Sequence, residues 1–203
     1  MAELPMTPTP PESPPGPGVV VLGRFQPFHR GHAALMESAE AWRSEHAPEM
    51  PLIVGLGSSN REESMQNPWS SEERSAMIES WLSETGISAE IAPIPDIDDP
   101  PNWVSHAEKY HGEAGLLFTS DVQTAKLYES SGWQVVFEEL EHREGFEGWR
   151  VRATAQMMST VDDRQAVMGV LSTTVPDVVV SYLADNGLLR RLAFLGEGGE
   201  PVG

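Results

Sequence analysis

Five short apolar runs, at residues 19–23, 52–57, 87–94, 115–119 and 133–138, alternate with stretches whose apolar residues recur every three or four positions. The runs predict buried strands and the stretches predict amphipathic helices. Leu35, Met36, Ala39 and Trp42 mark the first helix, and Met77, Ile78, Trp81 and Leu82 mark the second, which Ser70 and Glu73 open as a capping box. Further helices are expected near residues 103–110 and 121–131, the latter closed by Gly132. From Glu139 onward the pattern changes to loops and short helices, ending in one framed by Pro176 and Gly187 with Val178, Val179, Tyr182 and Leu183 facing inward. Strands alternating with helices imply an α/β fold: a Rossmann-like, doubly wound parallel sheet of about five strands with a C-terminal helical segment. In such sheets ligands sit beyond the carboxyl ends of the strands, where the loops starting at Gly23, Gly57, Pro95 and Thr119 lie.

Residues 1–18 hold seven prolines and predict a disordered or polyproline-like tail. Residues 19–195 then form the α/β domain, and 196–203 a flexible C-terminus. The 31 acidic residues against 13 basic ones give a formal charge of −18, and only Lys109 and Lys126 are lysines. This surface repels nucleic acid and anionic membranes. A lysine-poor acidic surface also suits a halophilic protein, stable in molar salt where repulsion is screened over a few ångström. The chain has no cysteine, which excludes a disulfide framework and a thiol nucleophile. No apolar run suffices to span a bilayer and no signal-peptide pattern opens the chain, so a cytoplasmic location is expected.

The first strand runs directly into Gly23-Arg24-Phe25-Gln26-Pro27-Phe28-His29-Arg30-Gly31-His32 and then a helix. Free N–H groups and the positive end of a helix dipole favour anions, and Arg24, His29 and His32 add side-chain donors. Gly31 permits close approach of backbone to phosphate. Phe25 and Phe28 read first as packing residues, and Gln26 is open. Two histidines without a third ligand make a poor zinc site, so no protein-held metal is expected.

This loop resembles the signature of the His-x-Gly-His nucleotidyltransferase superfamily, in particular the archaeal type of nicotinamide mononucleotide adenylyltransferase. Gly57-Ser58-Ser59, Asn67-Pro68-Trp69, Glu72-Glu73-Arg74, Pro95-Asp96-Ile97, Asn102-Trp103-Val104 with His106, and Val175-Pro176-Asp177 extend the likeness over roughly residues 19–195. The resemblance implies AMP transfer from ATP to nicotinamide mononucleotide, giving NAD and pyrophosphate, with Mg²⁺ bound through the ATP phosphates and a homo-oligomeric assembly. It gives His29, His32 and Arg24 catalytic roles, and places Gly23, Phe25, Gly31, Thr119, Arg152 and Thr154 beside them at ATP. Ser58, Ser59, Asp96, Asn102 and Trp103 would enclose the acceptor. Asp96 also reads as a turn residue, Trp103 as a core tryptophan and Asp121 as a helix cap.

The family's second signature, approximately I-S-x-T-x-x-R, matches Val151–Met157 with Thr154 retained, Arg152 at the serine position and Met157 at the arginine position. Gln66 stands where relatives carry a basic residue. Arg152 in its shifted position, Arg150 and Arg143 are the cations available to compensate. The departures leave two alternatives: a diverged nucleotide-binding paralogue with weak or no catalysis, and an adenylyltransferase acting on another phosphate monoester.

Overall fold

In the computed structural model, which describes residues 4–140 and 146–195, five parallel strands form one sheet in the order β3-β2-β1-β4-β5. β1 (Val19–Gly23) is central, paired with β2 (Leu52–Leu56) from Val19 opposite Leu52 to Gly23 opposite Leu56. On its other side Val19 and Val20 face Leu116 and Leu117 of β4 (Leu116–Thr119). The edge strands are β3 (Glu90–Pro93) and β5 (Gln134–Phe137). The expected third strand shortens to its paired part, because an edge strand has one partner and pairs only where β2 runs beside it. The order reverses at β1 and β4, the switch point where the carboxyl-end loops diverge.

The described residues fall into two units interleaved along the chain. The sheet unit holds 4–24, 32–61 and 86–140. Its core gathers Val20, Ile53, Leu117, Val104, Tyr128 and Trp133 around the central strands. Each fully buried aliphatic side chain there contributes about 1.5–3 kcal/mol. Most of α1 (Arg30–His46), and all of α3 (Trp103–His111) and α4 (Val122–Ser130), belong to it. Asp121 caps α4, accepting from the Thr124 N–H at 2.8 Å, so the cap reading is the structural one. The proline-rich residues 4–18 take no helix or strand, yet they bond to this unit: Pro5, Thr7 and Pro8 carbonyls accept from Asn60, Ser59 and Tyr110.

The helical unit holds 25–31, 62–85 and 146–195. α2 (Ser71–Thr85) starts at the predicted capping box, with the Ser70 N–H donating to Glu73 at 2.9 Å and the Glu73 N–H to Ser70 at 3.3 Å. It packs against α7 (Asp177–Asp185), which follows Pro176 and ends before Gly187 at φ +65°. The inward face of α7 is Val179, Val180 and Leu183; Val178 and Tyr182 are half-buried, a phase one position away from the sequence reading. α5 (Gly148–Met158), α6 (Arg164–Leu171) and α8 (Arg191–Phe194) complete the unit. Arg143 and residues 196–203 lie outside the described residues.

Candidate active site

β1 ends at Gly23, whose carbonyl accepts from the Gly57 N–H at 2.9 Å, tying the first two carboxyl-end loops together. Arg24 follows at the surface. Phe25 is non-glycine at φ +52°, and Ser58 at φ +55° and Asp98 at φ +52° repeat this left-handed strain after β2 and β3. Non-glycine residues held there cost of order 1–3 kcal/mol and gather at functional loops. The Phe25 ring is buried with its centroid 6.0 Å from that of Phe28, and Phe28 packs on Trp81 at 5.1 Å. Both rings are thus core, as their packing reading has it. Gln26 is structural: its amide clamps Trp69, Nε2 donating to the carbonyl at 2.9 Å and Oε1 accepting from the N–H at 3.2 Å.

His29 precedes α1 and His32 is its third residue. His29 is 6% exposed, and burial, reinforced by the positive charge of Arg152, pushes its pKa down to about 4. The imidazole is therefore neutral at pH 7, able to donate one N–H and accept at the other nitrogen. Gly31 faces Phe146: a Cβ there would lie 2.8 Å from the Phe146 Cβ and 3.2 Å from the His29 ring, so this turn requires glycine. His32 belongs to the sheet unit and is half-buried.

The stretch matched to the second signature falls inside α5. α5 begins at Gly148, so Val151–Met157 is helix interior rather than a helix start. Thr154 turns its hydroxyl back to the Arg150 carbonyl at 3.1 Å, and Met157 is 78% exposed. Arg152 instead reaches the first loop, Nη1 donating to the Gln26 carbonyl at 2.9 Å. Gly148 leaves room for it, since a Cβ at that position would meet the guanidinium at 3.2 Å. Counting Ser-x-Thr-x-x-Arg back from Arg152 puts Glu147 at the serine and Trp149 at the threonine. In that alternative register the cation is present and neither hydroxyl is. Glu147 accepts from Trp149 Nε1 at 2.8 Å and Arg150 Nε at 3.0 Å, and the Arg150 guanidinium lies 4.7 Å from the Trp149 ring centroid.

In the sheet unit one acceptor candidate, Ser58, bonds another, Asp96. Ser58 Oγ donates to its carboxylate at 2.9 Å and Arg61 Nε at 2.7 Å, while Arg61 also pairs with Asp98. Asn60 grips the Asp96 backbone, accepting from its N–H at 2.8 Å and donating to its carbonyl at 2.9 Å. Asp96 therefore organises this loop as well as carrying charge. His106 Nε2 bonds the Pro95 carbonyl at 2.8 Å and holds the same turn. Ser59 donates to Thr7, and Asn102, exposed, donates to Asp99 at 2.7 Å. Trp103 is half-buried, with its ring edge against Tyr128 at 6.3 Å, so one face belongs to the core. Thr119 is buried at the end of β4 and accepts from the Asp121 N–H at 3.1 Å. Sequence reasoning missed Asn60, Arg61 and Gly148. For Asn60 and Arg61 the signal was position, directly after Ser58-Ser59; for Gly148 it was the glycine four residues before an arginine.

A cytidylyltransferase-like family model matches residues 20–108. The nicotinamide-nucleotide adenylyltransferase of Ignicoccus hospitalis is 30% identical over 178 residues, 86% of this chain and 95% of the relative. The enzyme of that name from Haloarcula marismortui is 25% identical over 87% of this chain and 92% of its own. Among solved structures, a bifunctional NMN adenylyltransferase/ADP ribose pyrophosphatase from Francisella tularensis, complexed with AMP and a manganese ion, matches with TM-score 0.60 at 20% identity. That match covers 87% of this chain and 52% of the bifunctional one, so the chain spans about half of that protein's length. Fold and relatives together define an enzyme of the nucleotidyltransferase class. The chain belongs to the cytidylyltransferase-like nucleotidyltransferase family that includes the archaeal nicotinamide-nucleotide adenylyltransferases.

Proposed function

We propose that the protein transfers the adenylyl group of ATP to nicotinamide mononucleotide, yielding NAD and pyrophosphate. The observation that carries this reading is the first loop, where buried His29 and Arg152 share one turn and Gly31 lets the His29 ring and Phe146 pack against the backbone. A phosphate oxygen of the acceptor attacks the α-phosphorus, the bond from that phosphorus to the bridging oxygen breaks, and pyrophosphate leaves with the electron pair. Such a reaction needs positioning and charge stabilisation rather than a protein nucleophile. In the helical unit Arg152 is the cation for the triphosphate, with neutral His29 beside it as a hydrogen-bond donor; the resemblance assigns Arg24 and His32 to the same phosphates. Gly23 and Gly31 contribute backbone, and Thr119 shapes the end of β4. Mg²⁺ would enter on the triphosphate, as the resemblance implies. It would neutralise charge there. Ser58, Asp96, Asn102 and Trp103 are assigned to the acceptor.

One observation favours a second reading, a nucleotide-binding paralogue with weak catalysis: Glu147 puts a carboxylate at the start of α5, where it would repel a phosphate. Pyrophosphate release from ATP and Mg²⁺ in molar KCl, with nicotinamide mononucleotide, phosphopantetheine and other phosphate monoesters as acceptors, tests both. Turnover with nicotinamide mononucleotide is expected. Turnover with another acceptor alone would overturn the acceptor assignment, and ATP binding without turnover would establish the second reading. The −18 charge and the halophilic relative support a halophilic protein, whose melting temperature should rise from low salt to molar KCl.

A further inference from the structure

The proline-rich segment that precedes β1 makes its hydrogen bonds at a definite place. The Pro5 carbonyl accepts from Asn60 Nδ2 at 2.9 Å, the Thr7 carbonyl from Ser59 Oγ at 3.4 Å, and the Pro8 carbonyl from the Tyr110 hydroxyl at 3.0 Å. Further along, the Pro15 carbonyl sits where a Cβ on Gly112 would be, and Gly112 has φ +86°. The anchors therefore fall on the loop after β2 and on α3 and its end. Between these anchors the segment, the β3 edge and Tyr110 together line a cavity of about 430 Å³. Residues 5–7 are exposed, so hydrogen bonds rather than buried area fasten this part of the segment.

Asn60 links those anchors to the site. It is 8% exposed and its amide is fully used: Oδ1 accepts from the Asp96 N–H, while Nδ2 donates to both the Asp96 and the Pro5 carbonyls. Asp96 in turn fixes Ser58 and Arg61. Prolines limit the conformations this chain loses when it docks, and they present carbonyls with no N–H to compete. We propose that residues 5–8 are a positioning strap for the acceptor loop, acting through Asn60 on Asp96 and Ser58. The inference rests on the assignment of that loop to the acceptor nucleotide. The strap touches no substrate; it sets the geometry of residues that do.

Two variants test it: a chain lacking residues 2–9, and full-length Tyr110→Phe. Deletion should raise KM for nicotinamide mononucleotide about fivefold or more, with kcat and KM for ATP within about twofold, because only acceptor binding is loosened. Tyr110→Phe should move the same constant in the same direction by about twofold, the loss of one anchor. Hydrogen exchange supplies a readout that does not depend on turnover: amides at 58–61 and 96 should exchange faster in the shortened chain. Unchanged exchange there overturns the strap, as does an unchanged KM for the acceptor. Equal effects on both substrates would also overturn it, by showing general destabilisation. If the intact chain shows no turnover with nicotinamide mononucleotide, the acceptor assignment fails, and the exchange comparison still decides whether the strap orders the loop.

Discussion

The loop after β2 and the start of α5 both present polar residues expected at a nucleotide, and they are organised in opposite ways. At 58–61, Ser58, Asn60 and Arg61 all turn onto Asp96, and the one cation is matched by the Asp96 and Asp98 carboxylates. This loop offers shape and hydrogen bonds but no net positive charge. At 147–152 the Glu147 side chain makes no cap bond, Trp149 is 57% exposed, and Arg152 stands with a neutral histidine. That region offers charge on a loosely covered helix start. The difference suits a reaction in which one substrate must be held in register and the other is a polyanion needing neutralisation.

The comparison breaks most visibly if Arg152 proves dispensable. Arg152→Ala should lower kcat/KM for ATP by about a hundredfold or more, near 2.7 kcal/mol of transition-state stabilisation. Arg152→Lys should restore little of it, because the fork that reaches the Gln26 carbonyl is lost. His32→Ala should cost at least about tenfold, or 1.4 kcal/mol. Steady-state kinetics with varied ATP measures each, and near-wild-type rates for Arg152→Ala would leave the helix start without a phosphate role.

Next in size is Asn60→Ala, which strips two partners from the Asp96 backbone. Removing one side of a buried hydrogen-bond set costs about 1–3 kcal/mol. The expected readout is a lowered melting temperature and an acceptor KM raised about fivefold, with the ATP KM little changed. A proportional change in both constants would erase the contrast between the two regions.

Legibility in the sequence followed the range of the physical cause. The sheet, the capping box at Ser70 and Glu73, and the strand-to-helix loop at Gly23–His32 were readable because each depends on local periodicity or on a short contiguous motif. The edge strand was overextended, since where pairing stops depends on the partner strand. The start of α5 was not readable in the sequence beyond loops and short helices after Glu139, and only the helix boundary shows that Arg152 lies one turn into α5. Asn60 and Arg61 were invisible as a pair with Asp96, which is 36 and 35 residues away. The proline-rich residues 5–8 take no helix or strand, and the donors to their carbonyls lie far along the chain, on residues 59, 60 and 110.

A smaller effect comes from protons. His29 is held neutral in the folded state with its pKa near 4, against 6.5 for the free side chain. Below about pH 6.5 the unfolded chain therefore binds a proton that the folded chain does not, and stability falls as pH drops from 6.5 toward 4. The loss is bounded at about 3 kcal/mol. His111, buried and also lowered, acts in the same direction, so the difference between wild type and His29→Gln isolates the His29 share. Denaturant unfolding at several pH values should give a flatter profile for the variant; parallel profiles would mean that burial does not hold His29 neutral.

The smallest effect is expected at Thr154, and it separates the two registers of the second signature. If Val151–Met157 were the working match, Thr154→Ala would remove a phosphate ligand and cost about tenfold in kcat/KM for ATP. In the structure its hydroxyl bonds the Arg150 carbonyl within the same helix, an i to i−4 contact that slightly disfavours helix rather than holding a ligand. Alanine is the better helix former, so stability should change by less than about 0.5 kcal/mol and ATP kinetics by less than about twofold. The informative partner is Glu147→Ser, which replaces a carboxylate by a hydroxyl at the start of α5. It should lower KM for ATP while Thr154→Ala leaves it unmoved, and the opposite pattern would return the phosphate contact to the interior of α5.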